Sequence, residues 1–216
     1  MTPRRIAEAF LPQRAHYWYA RCKLASDPLY AGVGAALRGT TAPLLDIGCG
    51  LGLLAHTLRD QGFASDYLGI DNDGRKIVAA RTAAARAGLD KVYFDDVDLA
   101  AEPFPSHRGS VVVLDVLQFL PERAANDLLE RAADCVVSGA RLVIRSGLDN
   151  ADARTRFTRA VDVFSHCVGW MNVAPNRYPT RSKLESRLAR RGLRSRFTPL
   201  KGALPFNNWL IVAEKA

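Results

Sequence analysis

The chain has 216 residues, 48% of them hydrophobic, which suits one domain with a full core and is too apolar for a disordered chain. Its formal net charge of +8 favours anionic partners without choosing among nucleic acid, acidic lipid and acidic protein. Cys22, Cys49, Cys135 and Cys167 form no CxxC pair, so no zinc site or disulfide framework is indicated, and no apolar run reaches the ~18 residues of a membrane span. The N-terminus carries Arg4, Arg5, Glu8 and Arg14 without a signal-peptide core, so a cytoplasmic protein is expected.

Residues 1–40 read as mostly helical and form the first segment; a main domain over 41–216 follows. Short apolar runs then alternate with helical patterns. The expected strands are LLDI (44–47), YLGI (67–70), VYF (92–94), SVVVLD (110–115) and RLVIRS (141–146). Between them, LLAHTLRDQG, DGRKIVAARTAAARAG and PERAANDLLERAADCV place apolar residues at helical spacing, and two of these end at glycine. Alternation of this kind marks a parallel sheet covered by helices on both faces. Residues 147–180 form a long segment, and RGLRSRFTPLKG and PFNNWLIVAEKA read as two final strands with an antiparallel finish.

The loop after the first strand carries the chemistry. Gly48, Gly50 and Gly52 follow LLDI directly, where a doubly wound sheet binds its ligand. The spacing is GxGxG; a dinucleotide loop is GxGxxG, and Leu53 stands where its third glycine belongs. Asp46 would repel a phosphate and suits an ammonium or sulfonium group. Asp71 after the second strand can accept from both hydroxyls of a ribose. Asp98 after the third can accept from an adenine amino group, with Leu99 against the ring, and Asp115 ends the fourth. Acids at four successive strand ends describe a pocket for an adenosine-bearing cation. Cys49 has no partner cysteines or histidines that would make it a redox or metal residue, and Asp95 and Asp96 read as solvated turn residues.

LLDIGCGLG, the acid of GIDND, DLAAEPF and VVVLDVLQFLP together resemble the class I methyltransferases that use S-adenosylmethionine. The resemblance implies a Rossmann-like seven-stranded α/β sheet, mostly parallel with the last strand antiparallel, and S-adenosylhomocysteine as product. Carried over, Asp46 with the main chain at Gly48, Cys49 and Gly50 would hold the methionine portion. Asp71 and Asn72 would take the ribose, and Asp98 and Leu99 the adenine. Asp115, Val116 and Leu117 would line the path from cofactor to acceptor. Gln118 and Phe119 stand where many small-molecule members carry paired histidines. No asparagine–proline–proline–tyrosine motif follows, which disfavours exocyclic adenine amines and amide nitrogens as acceptors.

Transfer to a hydroxyl calls for alignment and removal of a proton. Of the histidines, His166 in FSHCVGWMN is the first candidate base and His16 the second; His56 reads as helix packing and His107 as a turn residue. Tyr17 and Tyr19, with Gln118, Phe119 and Trp170, are candidates for the acceptor pocket, and 147–180 for a lid. Tyr17, Trp18 and Tyr19 cannot share one helical face, so the run either anchors a helix or caps the pocket. RAHYWYARCKLASDPLY is also similar to methyltransferases of bacterial aryl-polyene pigment pathways, which implies an aromatic hydroxyl acceptor, free or on an acyl carrier protein.

Residues 177–201 hold nine basic residues, from Arg177 to Lys201, against Glu185 alone. They read as a solvated basic helix or as a dock for an acidic carrier protein or an anionic membrane surface; no nucleic-acid module accompanies them. The expected activity is O-methylation of a small aromatic or acyl-chain hydroxyl. The alternatives are RNA or protein methylation, and a non-catalytic binder or dinucleotide oxidoreductase.

Overall fold

The computed structural model describes residues 2–149, 178–202 and 207–215. Three N-terminal helices, α1 (Pro3–Glu8), α2 (Arg14–Ser26) and α3 (Leu29–Leu37), precede the first strand. Then follow β1 (Leu44–Ile47), α4 (Leu53–Asp60), β2 (Tyr67–Asp71), α5 (Gly74–Ala87), β3 (Val92–Asp96), β4 (Ser110–Leu114), α6 (Glu122–Cys135) and β5 (Arg141–Gly147). The last described elements are α7 (Arg181–Arg190), β6 (Leu193–Leu200) and β7 (Asn208–Lys215).

The strands form one seven-stranded sheet in the order β3-β2-β1-β4-β5-β7-β6. β1 to β5 run parallel, and β7 runs antiparallel to both β5 and β6. The expected architecture is therefore present. β3 runs two residues further than the sequence pattern indicated: Asp95 and Asp96 pair with Ile70 and Asp71 instead of leaving the sheet as a turn.

Alternation along the strands builds two apolar layers. Leu45, Ile47, Val111, Val113, Leu142 and Ile144 face one side, where Leu128 and Leu129 of α6 and Leu184 and Leu188 of α7 cover them. Leu44, Tyr67, Val112 and Val143 face the other, against Leu29 and Val33 of α3, Leu54 and Leu58 of α4 and Ile77 of α5. Burial on both faces explains why the central strands read as unbroken apolar runs. Each such leucine or isoleucine contributes about 1.5–3 kcal/mol by leaving water. α5 is delimited by its sequence: Asp73 accepts from the Arg75 amide at 3.1 Å at its start, and Gly88 ends it at φ 64°.

The N-terminal helices pack a smaller cluster, Ile6, Ala7, Phe10 and Ala20, against Leu51, Leu53 and Ala83 beside the loop after β1. Arg86 of α5 donates to the Ala9 carbonyl at 2.8 Å and fixes the turn after α1. On the opposite layer α7 is pinned to α6 by charge. Arg187 meets Glu130 at 3.1 Å, Arg191 meets Asp134 at 2.9 Å and Glu130 at 2.5 Å, and Lys183 meets Glu122 at 2.9 Å. Much of the basic segment thus balances acids of its own chain. Among the described residues no helix is long and apolar enough to cross a membrane.

Candidate functional site

The strand order reverses between β1 and β4, which opens a crevice beyond their C-terminal ends. The loop from Gly48 to Gly52 forms one wall. Its glycines have φ of 75°, 55° and 71°, a region that side chains disfavour. A Cβ on Gly48 would collide with Val116, so the loop touches the segment after β4. A Cβ on Gly50 would meet no described residue within 4 Å, so the loop has open space at that residue.

The loop's amides turn inward. Those of Gly48 and Cys49 donate to the Ile70 carbonyl at 2.8 and 3.0 Å, and that of Gly50 donates to Asp71 Oδ2 at 2.9 Å. A phosphate cradle needs such N–H groups aimed at the ligand. This loop engages those N–H groups with its own chain and has the carboxylates of Asp46 and Asp71 beside it, a polarity that suits a cation.

Asp46 is 2% exposed. The Tyr67 hydroxyl donates to its Oδ2, while Oδ1 is buried with no hydrogen-bond partner among the described residues. Burial pushes its carboxyl up to about 7 against the pull of the Tyr67 hydrogen bond, and the charge of Asp71 adds to the rise. An orphaned buried carboxylate oxygen beneath an open loop fits a ligand bearing a positive group. Burial first, then Asp46 and Asp71, push the Cys49 thiol well above its usual range, which disfavours the thiolate.

Asp71 ends β2. Its Oδ1 accepts from the Asp73 amide at 3.0 Å, so with the Gly50 bond two of about four acceptor positions on its carboxylate are filled. Asn72 beside it is exposed. Asp98 lies two residues past β3 in a turn: its Oδ1 accepts from the Ala100 amide at 2.9 Å, and its own amide donates to Glu102 at 3.0 Å. Leu99 in that turn is half-buried against the main core.

Asp115 follows β4 with φ 59°, a left-handed conformation uncommon for a residue with a side chain. Its Oδ1 lies 3.1 Å from Arg145 Nε, and Arg145 Nη1 lies 2.6 Å from Asp27 Oδ2. Lys23 Nζ completes the chain at 2.8 Å from the same Asp27 oxygen. The Arg145 side chain is 7% exposed, that of Asp115 33%. Burial by itself would lower the Lys23 ammonium; Asp115, with help from Tyr19 and Asp27, overrides it and holds the group above its ordinary value. Val116 is half-buried, while Leu117 and Gln118 are buried and Phe119 is half-buried in the short 3₁₀ turn that follows. Sequence reasoning missed Lys23, Asp27 and Arg145. The available signals were one arginine inside an apolar strand and a Lys–Asp pair one helical turn apart.

On α2, Tyr17 and Tyr19 pack with the Phe10–Leu53 cluster, and Tyr17 also accepts from Arg21 Nη1 at 3.0 Å. Trp18 is 55% exposed, its ring edge-on to that of Tyr17 with centroids 5.1 Å apart. His16 on the same helix is half-buried. His56 is 1% exposed beside Phe10, with ring centroids 5.5 Å apart, and burial lowers its imidazolium to about 4. His107 Nε2 lies 2.9 Å from the Ser110 carbonyl, and burial lowers it as well. His166 and Trp170, with most of the expected lid, lie outside the described residues.

Residues 44–139 match the model of a family described as Methyltransferase domain. No curated protein matches the chain. Solved structures share its architecture. The magnesium protoporphyrin IX methyltransferase of Synechocystis PCC 6803, solved with bound SAH, aligns at 18% identity and a TM-score of 0.65, over 87% of this chain and 80% of that one. A pyocyanin biosynthetic protein aligns at 20% identity and a TM-score of 0.69, over 95% of this chain and 59% of its own. The mitomycin 7-O-methyltransferase aligns at 19% identity and a TM-score of 0.69, over 100% and 61%. The chain thus spans about three fifths of the latter two proteins. It has the class I S-adenosylmethionine-dependent methyltransferase fold, and the segment from β1 to Gly139 carries the family match.

Proposed function

We propose that the chain is an S-adenosylmethionine-dependent methyltransferase acting on the hydroxyl of a small aromatic or acyl-chain acceptor. One observation carries the cofactor reading: a buried carboxylate with a free oxygen lies under a glycine loop whose amides face the sheet. That polarity suits the ammonium and sulfonium of S-adenosylmethionine and opposes a pyrophosphate.

In this reading Asp46 faces the ammonium, beside Gly48, Cys49 and Gly50. The remaining acceptor positions of Asp71 take the ribose hydroxyls with Asn72 alongside. Asp98 and Leu99 frame the adenine. Bound cofactor supplies an electrophilic methyl group on sulfur. The protein's own work is to align the acceptor oxygen, exclude water and take up its proton. Asp115, Val116 and Leu117 line the path from cofactor to acceptor, and Tyr17, Tyr19, Gln118 and Phe119 line the acceptor pocket. Residues 1–40 act as its cap, with 41–216 as the domain that binds cofactor. His166 is the first candidate base and His16 the second.

The acceptor class rests on the aromatic run of α2, on its similarity to pigment-pathway enzymes, and on O-methylation by the mitomycin enzyme of like fold. An acidic carrier protein or an anionic membrane surface would meet Arg190, Arg196 and Lys201, which are exposed, since Lys183, Arg187 and Arg191 are engaged with α6. Transfer of a labelled methyl group should be measured onto hydroxybenzoyl and polyenoyl carrier proteins and onto free phenols, with RNA and bulk protein as controls. Label in the free or carrier-bound hydroxyl substrates, and none in RNA or bulk protein, is expected; label in RNA or bulk protein alone would replace the acceptor assignment.

A further inference from the structure

Resting on that reading, we infer that Tyr67 is the positioning residue of the cofactor's ammonium site, and that ligand binding displaces a proton from the buried Asp46 carboxyl that Tyr67 holds. Tyr67 is fully buried, and on β2 it stands opposite Leu44, so it shares a face with Asp46 two residues further along β1. Its hydroxyl donates to Asp46 Oδ2, which leaves Oδ1 as the single open corner of the carboxylate. The phenol thereby fixes which oxygen meets the ligand and supports the charged form of Asp46.

Among the described residues no cation acts on Asp46 itself; of the pair, Arg59 of α4 reaches the Tyr67 phenol alone. Tyr67 and Asp71 face Asp46 from β2. Cys49 faces it from the loop. Tyr30 approaches the Tyr67 phenol from α3, and the effect of Lys76 from α5 reaches Cys49. Burial and the Asp71 charge therefore keep the Asp46 carboxyl protonated to an unusually high pH. A ligand ammonium at Oδ1 provides the missing positive charge and favours the carboxylate, so the proton leaves Asp46 for the buffer. No bond other than this O–H changes.

The test is calorimetric titration of the whole protein with S-adenosylhomocysteine, which keeps the ammonium, in phosphate and in a buffer of large ionisation enthalpy. With a carboxyl near 7, about nine-tenths of a proton should be released per ligand at pH 6 and about a tenth at pH 8. The ligand amine is already protonated at pH 6 and contributes nothing. Asp46→Asn should abolish the release. Tyr67→Phe removes a bond to the charged form, so binding should weaken about fivefold at pH 7 for the first unit by which the Asp46 midpoint rises and about tenfold for each further unit, and recover as pH is raised. A merely structural loss would not recover.

Binding with a buffer-independent enthalpy at pH 6 would overturn the proton inference and leave the functional reading standing. Equal weakening of Tyr67→Phe at every pH would overturn the positioning role. Failure of folded wild-type protein to bind would overturn the functional reading and this inference with it. If Tyr67→Phe does not fold, the proton counts of wild type and Asp46→Asn decide.

Discussion

Arg145 Nη1 stands 2.6 Å from Asp27 Oδ2, a buried pair 118 residues apart in the chain that fastens the N-terminal helices to the end of β5. Through Arg145 Nε the same guanidinium reaches Asp115, so the N-terminal helices and the residue after β4 are held by one side chain. Without Arg145, Asp27 keeps Lys23 as its partner and Asp115 keeps partial contact with water, while two charge-assisted contacts are lost. Arg145→Met should therefore cost about 1.5–3 kcal/mol in denaturant unfolding. Asp27→Asn should lower hydrogen-exchange protection in α2 while sparing β1 and β2. Equal loss across the sheet would show that the pair serves global stability alone.

The glycines of the loop separate packing from ligand space. Gly48→Ala meets Val116 and an unfavourable φ, so it should lower the melting temperature. Gly50→Ala has open space around it and should cost only the backbone penalty of about 1–2 kcal/mol. Its methyl group would project where the ligand is expected, so S-adenosylmethionine affinity should fall at least about tenfold, an energy of about 1.4 kcal/mol. Melting curves and calorimetry on both variants distinguish the two effects.

His56 gives the fold an acid limit. Its imidazolium is held at about 4 by burial, below the usual 6.5, so the unfolded chain binds the extra proton first. Its neutral form is fully accommodated above pH 6.5, and stability is lost as pH falls from there toward 4. At pH 4.5 this amounts to about 2–3 kcal/mol. Urea unfolding of wild type and His56→Leu at pH 7.5 and 4.5 measures it: the wild type should lose more stability between the two values by that margin.

The basic segment divides into two sets. Charge reversal of Arg190, Arg196 and Lys201 together should raise KM for a carrier-bound acceptor and spare a free phenol. Arg187→Ala with Arg191→Ala should leave both KM values unchanged, because those side chains meet Glu130 and Asp134. Steady-state kinetics on the two substrates test both statements.

The sheet was legible because strands buried on both faces leave continuous apolar runs such as LLDI and SVVVL, and because glycines punctuate the helices between them. The end of β3 was not, since Asp95 and Asp96 join the ladder through their backbones and their side chains give no strand signal. The strand-end acids could be named from position alone. Their partners could not: Tyr67 reads as one more strand residue, and Arg145 finds Asp27 only once the chain has folded. Nor does a GxGxG spacing say which way its amides point; the Ile70 carbonyl and Asp71 settle that by drawing them inward.

The most direct test of the account is parallel calorimetric titration of the folded protein with S-adenosylmethionine and with NADH. The account predicts saturable one-to-one binding of S-adenosylmethionine and no binding of NADH. Binding of NADH, or no binding of S-adenosylmethionine by protein with a cooperative melting transition, would contradict it.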